Sequence, residues 1–181
     1  FAYLRTLPNL TVMAPSDAAE CRNMLFTAFN LNGPAAVRYP RGAALGEVSR
    51  EMNALALGKA EVRRAGKRVA ILAFGPMLKR ALEAAEALDA TVVNMRFVKP
   101  LDVEMVREMA RSHELLVTVE EHQVMGGAGS AVCEVLDGRT KVLMLGLPDR
   151  FIDHGDPNRL LASVGVDAAG IQNAISTAMS E

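Results

Sequence analysis

Between positions 115 and 136 the chain reads LLVTVEEHQVMGGAGSAVCEVL, and no other stretch constrains the fold as tightly. The β-formers Leu115, Leu116, Val117, Thr118 and Val119 lead through Glu120, Glu121 and His122 into Gly126-Gly127-Ala128-Gly129. Beyond the glycines, Ala131, Val132, Val135 and Leu136 recur at helical spacing. A strand, then a loop, then a glycine-rich helix start is the grammar of an open α/β sheet, whose sites lie where strand carboxyl ends meet helix amino ends.

The same alternation extends along the chain. Residues 10–14 form a compact apolar run. Pro15-Ser16-Asp17 opens a helix, with Glu20 in capping-box register to Asp17. Ala18, Cys21, Leu25, Ala28 and Phe29 are the expected buried face of that helix, Asn32-Gly33-Pro34 stops it, and residues 35–39 form a strand broken by Pro40. From 41 to about 57 periodicity is lost, which places a linker and a domain boundary there. Residues 58–62 read as an edge strand, and residues 68–74, apolar on both faces, as a central strand buried under helices. Gly75-Pro76 starts a helix with Leu78, Ala81, Leu82, Ala85 and Leu88 in one stripe; a strand over 91–95 follows. Asp102 caps a helix carrying Val103, Val106, Met109 and Ala110, residues 141–145 form a further strand, and Asp167 caps a last helix with Ile171, Ala174, Ile175 and Ala178 inward. Strands alternating with helices predict mostly parallel pairing with right-handed crossovers.

Composition narrows the function classes. A chain of 181 residues, half of them hydrophobic, can bury a substantial core. A formal charge of -1 with Lys and Arg scattered argues against a nucleic-acid partner. No apolar run reaches the roughly 18 residues of a membrane helix, and the first residues lack the zones of a signal peptide, so a cytoplasmic chain with no membrane partner is expected. Phe1 is not an initiator methionine, which makes a fragment or a processed chain the expectation. Cys21 and Cys133, far apart on amphipathic segments, are expected as buried reduced thiols.

Five clusters carry candidate chemistry. Arg38 and Arg41, in the run Arg38-Tyr39-Pro40-Arg41-Gly42, could set a guanidinium fork over a phosphate, or could be a solvated surface pair. Glu120 and Glu121 could act as acid or base at a strand end, or serve structure by accepting backbone N–H groups or pairing with Arg96 or Lys99. His122 beside them is weak as a catalytic signal. The Gly126–Ser130 run offers N–H groups for an anion, or lets a helix approach a strand closely; it is neither a P-loop nor a dinucleotide fingerprint. Asp153-His154-Gly155-Asp156 lacks metal-ligand spacing and reads as a turn capping the next helix, and His113 suits a helix carboxyl end.

The segments YLRTLPNLTVMAPSDAAECRNML, GPAAVRYPRG, MRFVKPLD, VTVEEHQVMGGAGSAV and LGLPDRFIDHG, in order over nearly the whole chain, closely resemble the C-terminal portion of the 1-deoxy-D-xylulose-5-phosphate synthase family. Its wider relatives are the transketolases and the β subunits of 2-oxo acid dehydrogenases. The resemblance implies an α/β chain in which residues 1–42 end a pyrimidine-binding domain, 43–57 link, and 58–181 form a transketolase C-terminal-like domain with a mostly parallel, mixed sheet flanked by helices. It implies a transferase that uses thiamine diphosphate and Mg2+ to join decarboxylated pyruvate to glyceraldehyde 3-phosphate for isoprenoid, thiamine and pyridoxal precursors. Arg41, the arginine of YPRG, then contacts the acceptor phosphate. The family's cofactor and metal motifs have no counterpart in this sequence, so no catalytic residue or metal ligand is expected within it, and the chain alone is expected to be inactive. The expected partners are an N-terminal part of the same protein and a second copy in a homodimer. A fragment of a transketolase or dehydrogenase β subunit, or a non-catalytic module binding an anion at Gly126–Ser130, are the alternatives.

Overall fold

The computed structural model describes residues 1–43, 45–48 and 50–180. Ala44 and Ser49, within the expected linker, and Glu181, at the end of the expected second domain, lie outside the described residues. In chain order the elements are α1 (Ala2–Arg5), β1 (Thr11–Met13), α2 (Ala18–Asn30), β2 (Ala35–Val37), β3 (Glu61–Arg64), β4 (Val69–Ala73), α3 (Met77–Leu88) and β5 (Thr91–Asn94). They continue as β6 (Phe97–Lys99), α4 (Val103–Ser112), β7 (Leu115–Gln123), α5 (Ala128–Glu134), β8 (Val142–Leu147), α6 (Pro157–Ser163) and α7 (Ala168–Ser180).

The main sheet has the order β3-β5-β4-β7-β8. β5, β4, β7 and β8 run parallel and only the edge strand β3 is antiparallel, so the sheet is mixed but mostly parallel, as expected. Side-chain alternation along its strands divides the core in two. Val69, Ile71 and Ala73 of β4 and Leu115, Val117 and Val119 of β7 face α3 and α7, where Ala81, Ala85, Ile171 and Ile175 meet them. Ala70, Leu72 and Leu116 point the other way, towards Val106 and Met109 of α4 and Val132 of α5. Val12 of β1 and Ala14 just beyond it join this second cluster. Full burial of each Val, Leu, Ile or Met side chain here contributes about 1.5–3 kcal/mol.

A smaller sheet has the order β2-β1-β6. Its third strand was not expected from the sequence: β6 follows β5 after a two-residue turn and pairs antiparallel with β1. The residues before the linker are thus tied into those after it. Glu20 reinforces the tie, because its buried carboxylate accepts from Ser16 N at 2.7 Å, Asn94 Nδ2 at 2.9 Å and Arg96 Nε at 2.8 Å.

α2 departs from the expected face. Asp17 caps it by accepting Glu20 N at 2.8 Å, and Ala18 is buried and Ala28 packs on the core as expected, but Glu20, Met24 and Thr27 complete the inward face. Leu25 is 51% exposed and Phe29 is 89% exposed. The polar network around Glu20 holds that face inward, so the apolar stripe at Leu25 and Phe29 turns outward. Cys21 and Cys133 are also half-buried rather than buried, and both are free thiols. Among the described residues no helix is long and apolar enough to cross a membrane.

Candidate functional site

β1 and β2 are parallel, so their carboxyl ends open on the same side. The chain leaving β1 runs through Pro15, Ser16 and Asp17 into α2, and the chain leaving β2 runs through Arg38 to Gly42. Between them lies a groove of about 510 Å³, walled by Ala18, Cys21, Leu25, Tyr39, Leu45 and Val48, with Arg22 and Arg41 among its lining residues and Pro76 from the start of α3 at one side. Two local features hold its shape. Ala18 N donates to Leu45 O at 2.9 Å, which ties the far wall to the first turn of α2. Gly75, at φ +66, carries the chain from β4 past Ala14 to Pro76 in a left-handed turn that suits a residue without Cβ.

The structure separates the two arginines of the expected fork. Arg38 turns back to Glu121, donating to its backbone oxygen at 2.9 Å and approaching its carboxylate at 3.8 Å, with its guanidinium 5.6 Å from the Phe1 ring centre. Arg41 stays exposed on the groove with no hydrogen bond or ion pair among the described residues. Arg22, a residue with no sequence signal of its own, lines the same groove; its Nε is buried without a partner, while one terminal nitrogen donates to Arg50 O at 3.3 Å.

The glycine run is a different kind of place. β7 continues through Glu120, Glu121 and His122 to Gln123. Strand parity turns Glu120, like Leu116 and Thr118, towards α5. There its carboxylate accepts Ala128 N at 2.7 Å and Gly129 N at 2.8 Å. The anion at this helix start is therefore the chain's own glutamate, 1% exposed, and the run is not open to an external one. Burial pushes the Glu120 carboxyl above the ordinary glutamate value, against the pull of the Gly129 and Ala128 N–H groups. Gly127 is needed for space: a Cβ there would lie 2.4 Å from Glu120 Oε2 and 2.5 Å from Gln123 O.

The other candidates are accounted for locally. His122 stacks on Phe1, with ring centres 5.3 Å apart, and its Nδ1 lies 2.9 Å from Gln123 O and 3.9 Å from Glu120 Oε2. Burial holds its pKa below the ordinary histidine value. Arg96 pairs with Glu20 and Glu61, and Lys99 donates to the carbonyls of Arg5 and Leu7, so neither reaches Glu120 or Glu121. Asp156 caps α6 through Arg159 N at 3.0 Å. His113, the residue that ends α4, bonds Thr91 Oγ1 through Nε2 at 2.8 Å. Among the described residues no three His, Cys, Asp or Glu side chains converge as a metal site.

Two family models match the chain. The family model of the transketolase C-terminal domain matches residues 58–171, and that of the transketolase pyrimidine binding domain matches residues 1–45. The 1-deoxy-D-xylulose-5-phosphate synthase of Nitrosomonas europaea is 59% identical over 178 residues, covering 96% of this chain and 29% of that protein. The same-named protein of Chromobacterium violaceum is 60% identical over 178 residues, again 96% and 29%. The chain therefore spans less than a third of the length of these relatives. Among solved structures, a split gene transketolase described as an inactive β4 tetramer superposes with a TM-score of 0.90 at 37% identity, covering 99% of this chain and 61% of that one. The transketolase of Campylobacter jejuni gives a TM-score of 0.66 at 18% identity over 97% of this chain and 27% of that one, a likeness of fold alone.

Proposed function

Since the chain belongs to the transketolase family through its C-terminal domain, we propose that it is the C-terminal part of a 1-deoxy-D-xylulose-5-phosphate synthase. Joined to its N-terminal part, it serves a thiamine-diphosphate-dependent transferase that condenses pyruvate, with loss of CO2, and glyceraldehyde 3-phosphate. Identity of about 60% to proteins of that name, against 37% to the split gene transketolase, supports this reading over a transketolase. Residues 1–42 end the pyrimidine-binding domain in this proposal, 43–57 link, and 58–181 form the C-terminal domain. A cytoplasmic homodimer belongs to the same proposal.

Arg41 carries the site. A guanidinium with no internal partner, at the shared carboxyl ends of two parallel strands, suits the phosphate of the acceptor aldehyde. The groove orients that phosphate, and its apolar walls shed water around it. Among the described residues no three His, Cys, Asp or Glu side chains converge to hold Mg2+ by themselves, and the sequence carries no thiamine diphosphate motif. No step is routed through either group.

The test pairs the chain with its N-terminal part. Pyruvate- and aldehyde-dependent CO2 release is expected from the two together and not from the 181 residues alone. Arg41→Ala should lower kcat/KM for glyceraldehyde 3-phosphate by about tenfold or more while sparing unphosphorylated glyceraldehyde, as loss of a charge-assisted phosphate contact requires. Turnover by the chain alone, or equal losses on both aldehydes, would overturn the reading.

A further inference from the structure

A second cavity lies at the opposite end of the main sheet from the carboxyl ends just described. It measures about 620 Å³ and opens between the end of α4 and the turn joining α5 to β8. That volume is in the range of small-molecule sites. Arg107, Arg111, Arg139 and Lys141 line it, over a floor that includes Ala110 and Leu136.

Its two carboxylates do not neutralise these cations evenly. Glu114 is engaged by Arg68 in a two-pronged pair at 2.9 and 2.8 Å, and Arg68 is not among the lining residues. Asp137 is met by Arg139 Nε at 3.8 Å. Arg107 has a surface partner in Glu104 at 3.4 Å, and Lys141 holds the carbonyl of Ala178 at the end of α7. Arg111 has no hydrogen bond or ion pair among the described residues. One basic residue in the last turn is enough to meet the partial negative charge at the end of α4. Arg107, Arg139 and Lys141 bring three further positive charges to the cavity, each with one internal partner.

Arg107 and Arg111 are four residues apart on α4 and so lie one above the other on the same face. Two guanidinium forks stacked in that way match a phosphate group, whose oxygens need several donors. We infer that this cavity is a second anion site, distinct from the Arg41 groove, and that it takes a phosphorylated small molecule with a polar body. Lying at the amino ends of β7 and β8, it is placed to bind a ligand that does not share the space of the acceptor aldehyde.

Amide chemical-shift mapping of the 181-residue chain with inorganic phosphate, against sodium chloride at matched ionic strength, tests the site. Saturable shifts should centre on residues 107–114 and 135–141, and Arg111→Glu should weaken them by about tenfold or more. Arg41→Ala should leave this set intact, while Arg111→Glu leaves any shifts around Arg41 intact, so failure here and failure of the acceptor-site reading are told apart. Shifts at 107–114 that chloride reproduces, that fail to saturate, or that survive both Arg111→Glu and the double variant Arg107→Glu/Arg111→Glu, would overturn the inference.

Discussion

The Glu120 knot and the Arg41 groove both lie at carboxyl ends of parallel strands, yet they are built to opposite rules. Around Glu120, the buried carboxylate faces donors fixed by the backbone and the space beside it is filled: Ala128 N and Gly129 N are held at 2.7 and 2.8 Å, and Gly127 leaves no room for a Cβ. Around Arg41, the cation has no partner among the described residues and faces an open groove. A carboxylate that satisfies its own helix fixes the fold, whereas a cation left unsatisfied is available to a ligand. The contrast predicts that substitutions in the knot act on stability and substitutions in the groove on binding.

The sharpest way to break that contrast is Gly127→Ala. The new Cβ would press on Gln123 O, a backbone atom that cannot rotate away, as well as on the Glu120 carboxylate. A loss of about 3 kcal/mol is expected, at the upper end of overpacking effects, read as a lowered urea midpoint with an unchanged slope. Glu120→Gln comes next. An amide keeps one acceptor but turns an NH2 towards a backbone N–H, and leaving one buried donor unpaired costs about 1–3 kcal/mol. Near-neutral behaviour of both variants would mean that α5 is held by packing alone.

Glu20→Gln extends the comparison to the tie between the two sheets. Its carboxylate is shared by Ser16, Asn94 and Arg96, so the amide would break the contact to Arg96 and leave that guanidinium with Glu61. A loss of about 2 kcal/mol is expected, along with faster amide exchange in both β1 of the smaller sheet and β5 of the main sheet. If exchange rises in only one of them, the two sheets are not coupled through Glu20. Arg41→Ala sits at the other extreme, with a stability change within about 0.5 kcal/mol because its side chain is exposed.

The order of the main-sheet elements was legible in the sequence because strands such as VAILA are apolar on both faces and the helices between them carry clean stripes. The caps at Asp17, Asp102, Asp156 and Asp167 were legible for the same local reason, since each accepts a backbone N–H three residues on. What periodicity could not carry was the inward face of α2, because the residue that sets it is a buried glutamate whose partners come from β5 and the turn beyond it. β6 was missed because a three-residue strand has no period of its own and is defined by pairing with β1, far away in sequence. At the candidate sites, the glycine run could be read two ways, and only strand parity, which turns Glu120 towards α5, decides for the internal carboxylate. The spacing of Arg38 and Arg41 gave no sign that one of them would turn away to Glu121.

The smallest expected effect is also the most specific to the knot, because it depends on two neighbouring groups that titrate in opposite senses. Burial raises the Glu120 carboxyl above its ordinary 4.5, so the folded state holds that proton more tightly than the unfolded state does. Its contribution to stability is present below about pH 4.5 and declines as pH rises through the folded value. Burial lowers His122 below its ordinary 6.5, so the folded state holds that proton less tightly, and stability gains as pH climbs from the folded value to 6.5. The two slopes have opposite signs, each bounded by about 1.4 kcal/mol per pH unit for one proton. Urea midpoints measured from about pH 4 to 8 in single variants separate the two contributions. Glu120→Gln should leave the rising limb of His122, and His122→Asn the falling limb of Glu120. Parallel profiles for all three chains would show that the carboxylate stays charged throughout, with the Ala128 and Gly129 N–H groups outweighing its burial.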